Sequence, residues 1–349
     1  MQSNSKTKKK DIFAIVAPTA SGKSALAINL AKKLNANIFS FDSLSVYKYI
    51  SIASAKPSQS ELDKIKHYGI NELEPDRHCN AGVFMRIFTH ALQESRSAEK
   101  ILICVGGSGF YLHSIMQGLS KNPIKSNEDF SPKSSLAKSS LDSSLDFGVD
   151  FYAKSSLPNA KCNSKCNSEI STKISSLKNP YQFLESIDSV LAKNIHPNDT
   201  YRIQKLLSIY YASGIAPSEY FKTHKKTPLF ANIPIYIIDT PKEVLNERIQ
   251  ARTSAMLKQG LVDEAKWLFA KYGGKIQPFK AIGLKECLEC FQNNVDLSKQ
   301  QNIENLCEQI ATHTRQLAKR QRTFNRSKFS NATCLPYNEL EKKILNDFG

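Results

Sequence analysis

Ala17, Pro18, Thr19, Ala20, Ser21, Gly22, Lys23 and Ser24 stand between an apolar run, residues 12–17, and a helical pattern over residues 25–31. They match the phosphate-cradling pattern G-x-x-x-x-G-K-[ST] at every defined position but the first, where Ala17 replaces glycine. A diphosphate needs several donors converging on it, and backbone N–H groups at a helix N-terminus supply them together with a favourable dipole. Gly22 lets the main chain approach closely and Lys23 adds a mobile charge. The Ser24 hydroxyl is placed to coordinate a Mg²⁺ shared with the phosphates.

Positioning these groups takes a strand, a tight loop and a helix start, and the chain repeats that theme. Residues 37–41 form a second apolar run ending in Asp42 and Ser43. Strands in a strand-helix-strand unit are parallel, so Asp42 comes to the same sheet edge as the loop. A third run, residues 101–105, closes in Gly106, Gly107, Ser108 and Gly109 and sets Ser108 beside the phosphates. Residues 81–95 read as a helix, and residues 67–75 as connecting structure without a period. A further core strand, residues 233–238, precedes a helix carrying Arg248 and Arg252. These elements make a parallel sheet flanked by helices. Each singled-out residue also has a plainer use: Asp42 as a helix cap or Mg²⁺ ligand, Ser108 in a turn, Arg252 in a surface ion pair.

With 349 residues, the chain is long enough for a main domain and a satellite. Its net charge of +16 points to a polyanionic partner. Nucleic acid is favoured over membrane, because no apolar run approaches ~18 residues. Residues 1–10 are polar and lysine-rich, lack a signal-type apolar segment, and read as a disordered lead; the expected location is cytoplasmic. Eight scattered cysteines suggest reduced thiols, and the pairs Cys162/Cys166 and Cys287/Cys290 fall short of a four-ligand zinc pattern. Residues 121–179 are rich in Ser, Lys and Asn and read as a flexible or weakly ordered insertion.

The last long helical pattern, residues 301–325, carries Arg315, Lys319, Arg322 and Arg326 on one face, with no acidic residue between Ala311 and Ser330. Such a stripe suits phosphate contacts, although a solvated helix face has the same look.

Residues 17–24, then Asp42-Ser43 with Tyr47-Lys48, Ala55-Lys56-Pro57, residues 105–111, residues 196–199 and residues 314–321 resemble, in order, the motifs of tRNA dimethylallyltransferases. The resemblance implies transfer of a dimethylallyl group from dimethylallyl diphosphate to N6 of the adenine just 3′ of the anticodon. It gives Asp42 the part of general base, Ser108 (usually Thr) a positioning hydroxyl, and Arg252, Lys23 and Ser24-bound Mg²⁺ the neutralisation of the leaving diphosphate. It also implies tRNA contacts at Asp42, Ser43, Leu44, Ser45 and Ser108, at Tyr201, Arg202, Ile203, Gln204 and Lys205, and at Lys280, Ala281, Ile282, Gly283, Leu284 and Lys285. Arg315, Lys319 and Arg322 add to these. Leu284 and Phe324 depart from the usual Tyr and Trp, and Leu317 stands where an aromatic is common.

The expected architecture is α/β, a P-loop-type parallel sheet with a mainly helical inserted domain and a helical C-terminal region. Its segments are a lead (1–10), a first core part (11–120), an inserted tRNA-covering domain (121–200), core completion with tRNA-binding helices (201–330) and a tail (331–349). The expected partners are dimethylallyl diphosphate and the tRNA anticodon stem-loop, bound by a monomer. Rival readings are a P-loop small-molecule kinase, with Arg248 and Arg252 as lid arginines, an isopentenyltransferase acting on free adenine nucleotides, and a non-catalytic RNA-binding protein.

Overall fold

The apolar run before the loop is β1 (Ile12–Val16), and all five residues are buried, as a central parallel strand covered on both faces requires. The computed structural model describes residues 11–120, 164–224 and 227–349. After β1 come α1 (Lys23–Leu34), β2 (Asn37–Ser40), α2 (Gln59–Leu62), β3 (His67–Tyr68), α3 (Ala81–Ser97), β4 (Leu102–Gly106) and α4 (Gly109–Gln117). Next are α5 (Ser164–Ser175), α6 (Pro180–Ile187), α7 (Ser189–Ala192), α8 (Thr200–Ser213) and α9 (Pro217–Thr223). The chain continues through β5 (Ile235–Ile238), α10 (Lys242–Lys258), α11 (Leu261–Tyr272), a 3-10 turn (Gln277–Lys280), α12 (Leu284–Gln292), α13 (Gln300–Lys328), β6 (Thr333–Leu335) and α14 (Tyr337–Phe348).

The six strands form one sheet in the order β3-β2-β4-β1-β5-β6, and every pairing is parallel. All strand C-termini therefore share one edge, where ligands of open α/β sheets bind. Glycine is required at Gly106, since a Cβ there would lie 2.3 Å from the Phe41 ring. The expected parallel sheet flanked by helices is what the chain forms. Two strands lie outside the sequence expectation: β3 falls in the stretch read as connecting structure, and β6 in residues 331–349, read as a tail.

That last segment belongs to the core. Leu340, Ile344 and Phe348 of α14 are buried with Phe13, Ile15, Leu26 and Leu30, and each such side chain contributes about 1.5–3 kcal/mol. The Phe13 and Phe348 ring centroids are 4.5 Å apart. The Tyr236 hydroxyl donates to Asp347 Oδ2 at 2.6 Å, and Glu341 Oε1 receives both Asn29 Nδ2 (2.7 Å) and Lys33 Nζ (2.6 Å).

Two compact units divide the chain. The first takes residues up to Cys79, Val83–Met116 and Phe230–Gly349; the second takes Asn80–Gly82 and Gln117–Leu229. The second thus runs on to Leu229, past the boundary at 200 set from sequence. It has its own core of Ile170, Ile174, Leu184, Ala192, Ile203, Leu206 and Leu207. Asp188 organises it, accepting from Leu191 N (3.0 Å) through one oxygen and from Ser218 N (2.6 Å) through the other. The region read as weakly ordered is helical from Ser164; residues 121–163 and the lead at 1–10 lie outside the described residues. Among the described residues, no helix is long and apolar enough to cross a membrane.

Candidate active site

The loop after β1 has Ala20 at φ +64 and Gly22 at φ +88. Left-handed residues alternating along a short turn shape the backbone into an anion-binding nest, and Gly22 meets that need without steric cost. Its outer side is closed by the Tyr337 ring, 3.4 Å from where a Cβ would stand. Ser21 Oγ donates to Pro18 O at 2.7 Å, and Lys23 Nζ reaches the same carbonyl at 3.4 Å. Helix α1 begins at Lys23, as the motif requires.

Thr19, Lys23, Ser24, Ser40, Asp42, Ser45, Ala55, Gly106 and Arg252 line one cleft. A second opening shares Lys23, Ser24, Ala55 and Arg252 with it and adds Gly22 and Arg248. The two meet at the nest. Asp42 follows β2; its Oδ1 accepts from Leu44 N (2.9 Å) and Ser45 N (3.2 Å). That turn leaves Oδ2 without a hydrogen bond among the described residues.

Burial pulls the Lys23 ammonium down to about 8; nearby Asp42 opposes the shift and Arg252 adds to it. Arg252 is also lowered by burial, with Asp42 opposing. Two cations held against one carboxylate in a poorly solvated cleft are electrostatically underfilled, and a polyanion would restore both.

The structure brings together the loop, Asp42, Ser45 and Arg252. Ser108 is not among the residues that line the cleft and directly precedes α4, while Val105 and Gly106 line the wall. In the stretch expected to contact tRNA, Lys280 and Lys285 are exposed, whereas Gly283 and Leu284 are buried. Leu284 packs the helix instead of facing solvent, and Lys285 pairs with Glu289 at 3.5 Å. In the second unit, Tyr201, Arg202, Gln204 and Lys205 reach the surface of α8 and Ile203 joins its core. Arg202 pairs with Asp199, the N-cap of that helix.

The basic stripe of α13 is split. Arg315 is held by Glu308 and by Gln250 Oε1 (3.3 Å), and Arg322 donates to the Thr240 carbonyl at the end of β5. Lys319 and Arg326 face solvent.

Three positioning contacts were not anticipated from sequence. Gln321 accepts from Thr19 N at 2.9 Å, and its amide fills the space a Gly107 side chain would need, 2.6 Å from that Cβ position. Glu264 receives Ser51 N (2.7 Å), Ile52 N (2.9 Å) and Ala53 N (3.0 Å), fixing the loop whose next residues line the cleft. Fully buried Glu286 accepts from Gly283 N and from His313 Nδ1, both at 2.6 Å. Gln321 closes a motif visible in sequence; Glu264 and Glu286 carry no local signal beyond an acidic residue in a helix's first turn.

A nest at a helix start, cations behind it and a carboxylate two strands along the sheet make this a P-loop-type α/β protein with a cleft suited to an anion. The model of the IPP transferase family matches residues 45–328, and this chain belongs to that family. It is 40% identical to a tRNA dimethylallyltransferase of Nautilia profundicola over 96% of this chain and 99% of that protein. To a tRNA dimethylallyltransferase of Helicobacter pylori it is 41% identical, over 97% and 94%. Among solved structures, a eukaryotic dimethylallyltransferase acting on tRNA superposes with a TM-score of 0.69 at 27% identity, covering 94% of this chain and 73% of that one.

Proposed function

We infer that this chain is a transferase that places a dimethylallyl group on tRNA. The donor in this reading is dimethylallyl diphosphate and the acceptor is N6 of the adenine 3′ to the anticodon, in the anticodon stem-loop. The observation that carries it is the shared cleft: the Lys23 ammonium and Asp42 carboxylate line one cavity at the sheet's C-terminal edge.

In the proposed step, the adenine N6 attacks C1 of the allyl group and the C1–O bond breaks. The diphosphate leaves with the bonding pair, and the amine proton passes to Asp42. Lys23, Arg252 and the loop N–H groups neutralise the charge that develops on the leaving oxygen. Asp42 is oriented for its part by the turn that holds Oδ1 and leaves Oδ2 for the proton; such acid-base assistance supplies roughly 10²–10⁴ in rate. The Ser24 hydroxyl, which lines the cleft, is the kind of hard oxygen donor a Mg²⁺ prefers. When bound there, the ion would add to the neutralisation of the diphosphate. An adenine stacked in a loop must turn out to reach the cleft, at a cost of a few kcal/mol offset by new contacts.

The test incubates the full chain with unmodified tRNA and radiolabelled dimethylallyl diphosphate. Label entering the tRNA, and lost with Asp42→Ala, is the expected result. Label entering free adenine nucleotides instead, or ATP consumed with a small acceptor, would overturn the reading.

A further inference from the structure

Tyr49 holds a left-handed backbone, φ +62, a conformation disfavoured for a bulky side chain. The fold sustains it, and the result is an aromatic ring delivered to solvent: Tyr49 is 49% exposed. Its ring centroid lies 5.4 Å from that of Trp267 on α11, the chain's single tryptophan, itself 43% exposed. Lys271, one turn further along that helix, sets its ammonium 5.0 Å from the Tyr49 ring centre and 4.8 Å from that of Trp267. Tyr272 completes the group, 6.2 Å from Trp267, with its hydroxyl donating to Glu74 Oε2 at 3.3 Å.

Single exposed aromatics are ordinary on protein surfaces. Here two exposed rings from distant parts of the chain meet around one cation, and none of these residues lines the cleft. Ring faces for bases with a cation among them are the composition of sites that grip unpaired nucleotides. Glu264 bonds α11 to the backbone of residues 51–53, so the rings are held by a fixed frame. A second copy of the chain is a poor occupant: a two-fold contact sets the patch against itself and brings Lys271 toward Lys271, on a chain already carrying +16.

We propose that Tyr49, Trp267 and Lys271 form a stacking platform for an unpaired base of the RNA substrate, apart from the cleft that takes the reacting adenine. The proposal rests on the reading of tRNA as substrate.

A lone tryptophan makes its emission a direct readout. The full chain is titrated with unmodified tRNA, and dimethylallyl transfer is followed in parallel. We expect saturable quenching of Trp267 by the tRNA and none by a fully paired RNA duplex. Trp267→Ala should raise the KM for tRNA about tenfold, with kcat and the KM for dimethylallyl diphosphate unchanged and Trp267→Phe recovering most of the loss; circular dichroism verifies folding. An enzyme that transfers normally while showing neither quenching nor a KM change would overturn the platform and leave the transfer reading intact. Emission that follows protein concentration without RNA, with a dimer in sedimentation, would assign the face to a second copy and overturn it too. Quenching and weakened binding without transfer would sustain the platform and count against the transfer reading.

Discussion

The Arg252 guanidinium donates through Nη1 to the Thr19 hydroxyl oxygen at 3.2 Å, so a residue 233 positions further along the chain fastens α10 to the phosphate-type loop. The contact gives Arg252 two tasks, holding the loop and supplying charge to whatever fills it.

Replacing it separates them. Arg252→Ala should lower kcat/KM for transfer by roughly 10²–10³, the scale of losing one preorganised charge at a leaving group. Arg252→Lys keeps a cation but loses the planar fork and should recover only part of that. Steady-state kinetics with tRNA and dimethylallyl diphosphate provide the measurement.

Asp42→Asn retains an oxygen for the Leu44 and Ser45 amides while removing the proton acceptor. Single-turnover transfer should slow by about 10²–10⁴, with binding of the diphosphate donor largely kept. Equal loss of rate and donor affinity would show that Asp42 serves binding instead.

Donor affinity should weaken above pH 8. Lys23 sits at about 8 in the cleft against an ordinary 10.5, and a bound anion raises it again. Below pH 8 the lysine is already protonated and affinity is flat; above it, binding must take up a proton and falls by up to tenfold per pH unit. Folding stability moves the other way, rising from pH 8 toward 10.5 as the unfolded chain keeps the proton that the folded one has lost. Lys23→Met should flatten the binding profile. Lys56 also lies at about 8 through burial, but its ammonium is spent on Tyr47 O and Asn71 Oδ1; Lys56→Met should keep the slope. Isothermal titration across pH 7–10 distinguishes the two.

Glu264→Ala removes one acceptor from three backbone amides, and urea denaturation should register a loss of about 2–3 kcal/mol. Because the freed loop leads into Ser54, Ala55 and Pro57 of the cleft wall, the KM for the donor should rise as well. Glu264→Gln should restore part of both.

Ile344→Ala, at a fully buried position of α14, should cost about 2–5 kcal/mol. A surface tail would show no change in the same denaturation measurement.

Where signals were local and dense, the residues could be read directly. The loop motif, the all-apolar strands and the cap at Asp199 each declare themselves within a few neighbours, and Asp42 follows from parallel topology. β3 has two residues and β6 three, too short for a period to register. In α14 the spacing of Leu340, Ile344 and Phe348 was visible, but no strong turn signal separated it from a tail. Gln321, Glu264 and Glu286 act across folded distance, which composition and periodicity do not encode. The contacts that Arg315 and Arg322 of the α13 stripe make with Gln250 and Thr240 are of the same kind, joining residues far apart in the chain.

Helix α13 carries Gln321, which grips the phosphate-type loop, and, eight residues earlier, His313, which grips Glu286 beside Gly283. A helix rises 1.5 Å per residue, so these two grips stand about 12 Å apart along one axis that cannot stretch. The span works as a ruler: tilting or sliding the rod at one end displaces the other by a matching amount, and neither anchor can drift alone.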